Sequence, residues 1–160
     1  MSRIGAAWLI LGLLLWGGCA HIPEDKEPAG FRGVTWGSSS GEVGGLKLVV
    51  EDGETRYYER EGDKLRIGNA TLRSISYGFF QDRFYGVVVK YDGEENYYRL
   101  FTTLLDTYGE ARRTHRFFKK WEWSGDRVKV ILSYSEVTRD GALTFHYTPI
   151  LVEKSGERDL

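Results

Sequence analysis

The sequence has few of the residues that form covalent or metal crosslinks. It contains one cysteine and three histidines in 160 residues, so it cannot form a disulfide within the chain or a multi-cysteine metal site. Its 22 Lys and Arg nearly balance its 23 Asp and Glu, and a net charge of −1 does not favour nucleic acid as a partner. No uninterrupted apolar run reaches the roughly 20 residues that a membrane-spanning helix needs. These absences favour one ordinary globular domain with a hydrophobic core.

The most informative segment is the N-terminus. A basic start is followed by the largely apolar run from Ile4 to Trp16, then by Gly17-Gly18 and the single cysteine, Cys19. This order is typical of a secretory signal peptide, and a cysteine after small residues resembles the lipobox of bacterial lipoproteins. We therefore predict export, cleavage before Cys19 and lipidation of Cys19. A cleaved signal without a lipid and an uncleaved membrane helix are the alternatives.

The lipoprotein resemblance also has implications for location and domain boundaries. Ala20 stands where Asp would retain a lipoprotein in the inner membrane, so the outer membrane is implied, with the domain facing the periplasm. Two prolines and several charges after the cysteine indicate a flexible tether. The predicted divisions are a signal peptide at 1–18, the lipidated cysteine and tether at 19–30, one α+β domain at 31–153 and a polar tail at 154–160.

Two helices are predicted. Apolar residues at steps of three and four between Glu94 and Tyr108 form one continuous stripe, which predicts a long amphipathic helix over 94–108 that ends at Gly109. Asp92 and Glu95 have capping-box spacing at its start. Ser39 and Glu42 have the same spacing at a weak helix over about 38–45, which is rich in glycine.

The remaining segments predict strands in a mostly antiparallel sheet, because alternating residues are separated by glycine turns. Tyr85, Val87, Val89 and Tyr91 are expected on one face of their strand. An α+β fold follows, with two helix-plus-hairpin repeats as an option. The predicted strands are residues 46–51, 57–61, 74–79, 84–91, 117–123, 128–134 and 143–152.

Several short motifs carry a family resemblance. The chain has F-R-G-V-T-W-G at 31–37, Glu42-Val43 in the short helix, Tyr108-Gly109 at the long-helix exit, and then Trp121 and Trp123. With the lipobox, these look like a group of uncharacterised bacterial lipoproteins. More remotely, they are similar to BamE/SmpA-type outer-membrane lipoproteins and to the helix-plus-sheet repeat of β-lactamase inhibitory protein. The resemblance implies a small non-catalytic scaffold that contacts another protein.

Catalytic and metal motifs are weak. Residues 37–41 match G-x-S-x-G with Ser39 at the nucleophile position, but hairpins do not provide the parallel sheet of a serine hydrolase. Helix capping is the preferred interpretation of this serine cluster. The histidines His21, His115 and His146 are scattered and do not form a metal-binding motif. We therefore predict no cofactor, no metal and no enzymatic activity.

A basic segment after the long helix is the predicted partner-binding site. Adjacent aromatic pairs, including Phe117-Phe118, would place at least one ring off the main core. A solvated strand edge protected by charge is the alternative interpretation. The candidate binding residues are Arg112, Arg113, His115, Arg116, Lys119 and Lys120.

Together these patterns predict an outer-membrane lipoprotein that acts as a protein-binding or scaffold module in the bacterial envelope. The membrane is expected as a partner through the N-terminal lipid, together with an envelope protein, and nucleic acid is not expected. Inhibition of an exported enzyme, such as a lysozyme or protease, is one alternative. A hydrolase that uses Ser39 is the other.

Overall fold

The computed structural model describes residues 20–156, in which two helices and a large antiparallel sheet form an α+β fold. This fold class agrees with the sequence prediction. The helices are α1 (Glu94–Tyr108) and α2 (Thr148–Ser155), and single 3-10 turns lie at Glu24–Lys26 and Ser40–Glu42. The strands are β1 (Gly30–Phe31), β2 (Val34–Thr35), β3 (Leu46–Asp52), β4 (Thr55–Arg60), β5 (Arg66–Ile67), β6 (Ala70–Thr71), β7 (Ser74–Phe80), β8 (Arg83–Asp92), β9 (Arg112–Arg113), β10 (Lys119–Ser124), β11 (Val128–Tyr134) and β12 (Asp140–Tyr147).

The main sheet has eight strands in the order β3-β4-β7-β8-β12-β11-β10-β9, and all neighbours are antiparallel. β8 and β12 pair at its centre, with Leu143 opposite Val89. Alternation along β11 is complete, because every second residue from Val128 to Tyr134 is buried. α1 covers the face that carries these buried residues. The two halves meet at β8 and β12, but the predicted repeat is not confirmed.

The two ends of the sheet carry different loops. The lower end carries the β10–β11 turn at 125–127 and the β7–β8 turn at 81–82. The upper end carries the loops at 114–118 and 135–139, which are neighbours because Lys119 pairs with Tyr134.

A β-bulge in β8 reverses the predicted orientation of Tyr85. Phe79 pairs with Phe84 and Gly78 pairs with Gly86, so Tyr85 is an extra residue on its strand. It packs with Ile150 of α2, whereas the rest of the predicted row belongs to the main core. The prediction that Tyr85 shares the face of that row was therefore wrong.

The helix predicted over 94–108 is confirmed with the same bounds. Its predicted capping box is wrong, because Gly93 is the N-cap residue and the Asp92 carboxylate accepts a hydrogen bond from Arg73 at 2.8 Å. Gly109, at φ +84°, ends the helix, and its N–H donates to the Leu105 carbonyl at 2.8 Å. The helix residues that are buried in the core are Tyr97, Leu100, Leu104 and Tyr108.

The short helix predicted over 38–45 is only the 3-10 turn Ser40–Glu42. Its capping box is confirmed, and the Ser39 N–H donates to the Glu42 carboxylate at 2.9 Å. The glycines at 41, 44 and 45 disfavour a longer helix.

The C-terminal predictions need two corrections. The strand predicted to reach residue 152 ends at Tyr147, and α2 follows. Pro149 favours this change, because it stands in the first helical turn, where a missing N–H has no cost. The polar tail predicted from 154 begins inside α2, which continues to Ser155.

The segment predicted as a flexible tether packs against the domain from residue 21 onward. Ile22 is fully buried in the core, and its N–H donates to the Ser124 carbonyl at 2.9 Å. The Glu27 carboxylate accepts hydrogen bonds from the backbone N–H groups of Arg127 at 2.6 Å and Val128 at 2.7 Å. The tether prediction was wrong here, because composition does not reveal one buried isoleucine or a carboxylate that meets distant backbone groups. The boundary of the packed unit therefore lies near residue 21, not at 31.

Candidate ligand-binding cavity at the upper end of the sheet

A cavity of about 410 Å³ opens at the upper end, on the face of the sheet that α1 does not cover. Residues of β8, β10, β11 and β12 contribute its floor, and residues of the 114–118 loop form one wall. The lining residues are Lys90, His115, Phe118, Lys120, Ser133, Tyr134, Ser135, Asp140, Gly141 and Ala142.

The cavity is basic. Lys90 and Lys120 both line it, and within residues 20–156 neither ammonium group lies at ion-pair distance from a carboxylate. Asp140 is the acidic residue in the lining, so two lysines and one aspartate leave a formal charge of 2 − 1 = +1. An anionic group bound in the cavity would neutralise this positive charge.

His115 organises the wall of the cavity. Its Nδ1 atom accepts hydrogen bonds from the backbone N–H groups of Phe117 and Phe118, both at 3.2 Å. With Nδ1 used as the acceptor, Nε2 is the ring atom that can donate a hydrogen bond. The imidazole also packs on Phe118, with 4.5 Å between ring centroids. These contacts hold Phe118 beside the cavity.

The loops around the cavity expose large apolar side chains. Phe117 is 82% exposed, Phe118 is 56% exposed and Val137 is 90% exposed. Phe117 and Phe118 lie in one loop and Val137 in the neighbouring loop. Adjacent exposed apolar side chains, as opposed to scattered ones, are a feature of interaction surfaces.

The structure divides the predicted basic site. Arg112 lies on the edge strand β9 and pairs with Glu122 at 2.7 Å. Lys119 pairs with Glu94 at 2.6 Å and with Glu136 at 3.0 Å, and these contacts join β10 to the start of α1 and to the 135–139 loop. Both cations are therefore held in contacts within the domain.

The other four predicted residues lie in or beside the 114–118 loop. Arg113 lies over the Trp121 ring at 5.9 Å, and Arg116 lies over the Phe117 ring at 5.8 Å. Lys120 lies in the cavity itself with His115. The predicted lipidation site, Cys19, lies outside the described residues.

Sequence reasoning missed the other half of the cavity. Lys90, Ser133 and Ala142 alternate with buried residues on their strands, so the period of two indicates only that they point away from the core. Asp140 begins β12, which starts three residues before the predicted strand at 143–152. These residues come together because β8 pairs with β12, and β12 with β11.

Near the lower end, a second titratable cluster lies between the sheet and α2. The Tyr57 and Tyr85 hydroxyls are 2.9 Å apart, and Lys154 lies 3.1 Å from the Tyr85 hydroxyl. Burial and the hydrogen bond to Tyr85 raise the pKa of Tyr57 to about 12, so this phenol stays neutral. His146 has a buried Nδ1 atom without a hydrogen-bond partner in the described structure, and burial lowers its pKa.

The structure also gives observations on Ser39, on metal binding and on membrane-spanning helices. Ser39 participates in the capping box of its 3-10 turn, which confirms the capping interpretation of its role. Among residues 20–156, no three His, Cys, Asp or Glu side chains are arranged to hold a metal ion. In the same part of the chain, no helix is long and apolar enough to span a membrane.

Comparison with known proteins adds no identification. No family model, curated protein or solved structure matches this chain. The resemblance to bacterial lipoproteins therefore remains a prediction from the sequence.

Proposed function

We propose that this protein is a lipid-anchored lipoprotein of the outer membrane whose periplasmic domain binds another envelope protein without catalysis. The N-terminal signal pattern and Cys19 support the anchor. The exposed apolar loops beside the basic cavity support the binding role. The observation that carries the proposal is that Phe117 and Phe118 are adjacent and exposed in a loop that His115 holds in place.

The packed N-terminal segment supports a defined orientation on the membrane. The backbone of His21 forms an isolated β-bridge with Ser124 at the lower end, and the His21 imidazole lies 3.6 Å from the Asp126 carboxylate. Cys19 is two residues earlier, and two residues reach at most about 7 Å. A lipid on Cys19 would therefore hold the lower end at the membrane surface.

The same orientation would direct the upper end towards the periplasm. β10 has six residues between the two ends, which corresponds to about 20 Å at 3.3 Å per residue. Phe117, Phe118 and Val137 would then be presented to a protein in the periplasm or to the periplasmic side of a membrane protein. Aromatic side chains presented in this way are good interface anchors.

A photo-crosslinking experiment in native cells tests the binding role. A photoreactive phenylalanine analogue replaces Phe118 in the full chain, and a matched chain carries it at Val152, which is 43% exposed on α2. We expect discrete protein adducts from position 118 that are absent from position 152. The substitution Phe117→Ala, made in the chain that carries the analogue at position 118, should reduce the amount of these adducts. Identical adducts at both positions, or no adduct at 118, would contradict the binding role.

Lipid labelling tests the anchor separately. Cells grown with labelled palmitate should incorporate the label into the wild-type protein and not into a Cys19→Ser variant. An unlabelled wild-type protein that is nevertheless shortened would indicate the cleaved-signal alternative.

A finer proposal concerns the two halves of the domain. We infer that β3 to β8 and α1 to β12 are related units, because the last strand of each half lies at the centre of the sheet. A difference between them is that a 3-10 turn precedes the first set of strands and the fifteen-residue helix α1 precedes the second.

A further inference from the structure

We propose that the upper cavity binds an Asp or Glu side chain from an acidic peptide segment of the partner protein, with Phe118 packing on an apolar neighbour in that segment. The inference rests on the proposed function and names the chemistry of its ligand. It is carried by the lining of the cavity, in which two lysines without carboxylate partners in the described structure stand beside a half-exposed aromatic ring.

The lining supplies hydrogen-bond donors. Lys90 and Lys120 each carry an ammonium group with three donors and no acceptor, and the His115 ring, whose Nδ1 atom accepts from the loop backbone, has Nε2 as its donor. Ser133 and Ser135 add hydroxyl groups. This set matches a carboxylate, which accepts through two oxygens, better than a cation or a neutral apolar group.

The charge of the lining and the Phe118 ring favour one carboxylate with an apolar neighbour. The lining has a formal charge of +1, because Asp140 offsets one of the two lysines. A single acidic side chain neutralises this charge, whereas a doubly charged group would leave an excess negative charge beside Asp140. Phe118 then provides apolar contact area next to the ion pair, as in interface hot spots.

The position of the cavity favours a protein ligand over a lipid headgroup of the anchoring membrane. The cavity lies at the upper end, while His21 and Ile22 dock at the lower end, about 20 Å away along β10. A lipid anchor on Cys19 would keep the headgroups of that membrane at the lower end. An acidic segment of a protein can reach the upper end without this constraint.

The test is an NMR titration of the full lipidated chain, labelled with ¹⁵N and held in neutral detergent micelles. One probe is the capped peptide Gly-Asp-Phe-Gly-Gly, which carries a single charge, and its matched control is Gly-Asn-Phe-Gly-Gly, which has the same shape without the charge. We expect the acidic peptide to shift the amide signals of Lys90, Lys120 and Ser133, and the control to shift them much less. In 0.5 M salt the affinity should decrease.

Variants locate the effect. The double variant Lys90→Gln/Lys120→Gln should bind the acidic peptide at least about tenfold more weakly, because two charge-assisted hydrogen bonds are lost. The control Lys47→Gln/Lys64→Gln removes the same charge from exposed lysines outside the cavity and should bind as the wild type does. An unchanged ¹⁵N spectrum away from the cavity confirms that each variant is folded.

Three results would overturn the inference: no shift with the acidic peptide, equal shifts with both peptides, or unchanged affinity in the cavity variant. Shifts of the cavity signals by vesicles of phosphatidylglycerol, without a response to the acidic peptide, would assign the site to a lipid phosphate instead. If Phe118 crosslinks a protein in cells but the acidic peptide has no effect, only this inference fails. If crosslinking at Phe118 also fails, the proposed function fails with it.

Discussion

Loss of the Glu27 carboxylate should release the N-terminal segment from the sheet. Its side chain is 5% exposed and accepts hydrogen bonds from the N–H groups of Arg127 at 2.6 Å and Val128 at 2.7 Å. Glu27→Ala removes the Oε1 atom that accepts both hydrogen bonds and leaves the partly buried Val128 N–H unpaired. Glu27→Gln keeps an acceptor oxygen at the same position without the charge, so it is the matched control.

The cost of this change follows from the two hydrogen bonds. A hydrogen bond to a charged group contributes about 1.5–3 kcal/mol, but water can replace the acceptor for the exposed Arg127 N–H. We therefore expect Glu27→Ala to lower the free energy of unfolding by about 2–3 kcal/mol and Glu27→Gln by about 1 kcal/mol. For a domain of this size, the larger loss corresponds to a decrease in Tm of about 8 °C.

Two assays distinguish local release of the N-terminal segment from a loss of global stability. Urea unfolding followed by the fluorescence of the buried Trp123 measures the free energy of unfolding. Limited trypsin digestion measures cleavage after Lys26, which should be faster in Glu27→Ala than in Glu27→Gln. If Glu27→Ala has the wild-type stability and the wild-type cleavage rate, the docking of this segment and the membrane orientation proposed from it are both refuted.

Two further predictions concern the core and the polar cluster. Gly141→Ala should lower the free energy of unfolding by about 2–3 kcal/mol, because a Cβ atom at 141 would overlap both the Tyr91 ring and the Ser133 backbone carbonyl. Urea unfolding that is unchanged from the wild type would refute this overlap. For His146, burial and the nearby cations Lys129 and Lys154 lower the pKa in the folded state, so the unfolded chain binds the proton more readily. Stability should therefore fall as the pH drops below about 6.5, by at most about 1.4 kcal/mol per pH unit, and His146→Gln should reduce this dependence. If the stabilities of the wild type and of His146→Gln depend equally on pH, the lowered pKa assigned to His146 is wrong.

Local patterns account for the parts of the fold that the sequence predicted well. The stripe over 94–108 and the glycine that ends it lie within one helix, so its bounds could be predicted without knowledge of the neighbours. The strand β11 was predicted with its observed bounds because its alternation is complete. The face of Tyr85 was predicted wrongly because a bulge shifts the period of two within β8. The end of the last strand was predicted wrongly because α2 begins directly after residue 147.

The candidate site could be predicted only in part. A run of basic residues after the long helix indicated a surface, and Lys120 with His115 does line the cavity. Their charges alone did not distinguish Lys120 from Lys119, which the structure places between Glu94 and Glu136. Neighbours on the strand point to opposite faces, so one lysine pairs with acids near α1 and the other enters the cavity.

The sequence by itself determined the α+β class, the long helix and most strands, because these depend on periodicity and turn residues that are close together in the chain. It also carries the whole prediction for Cys19, which lies outside the described residues. The tertiary structure alone decided that Lys90 meets Lys120 and that Glu27 meets the β10–β11 turn. Such contacts depend on the order and register of strands that are distant in sequence, and no local pattern encodes that order.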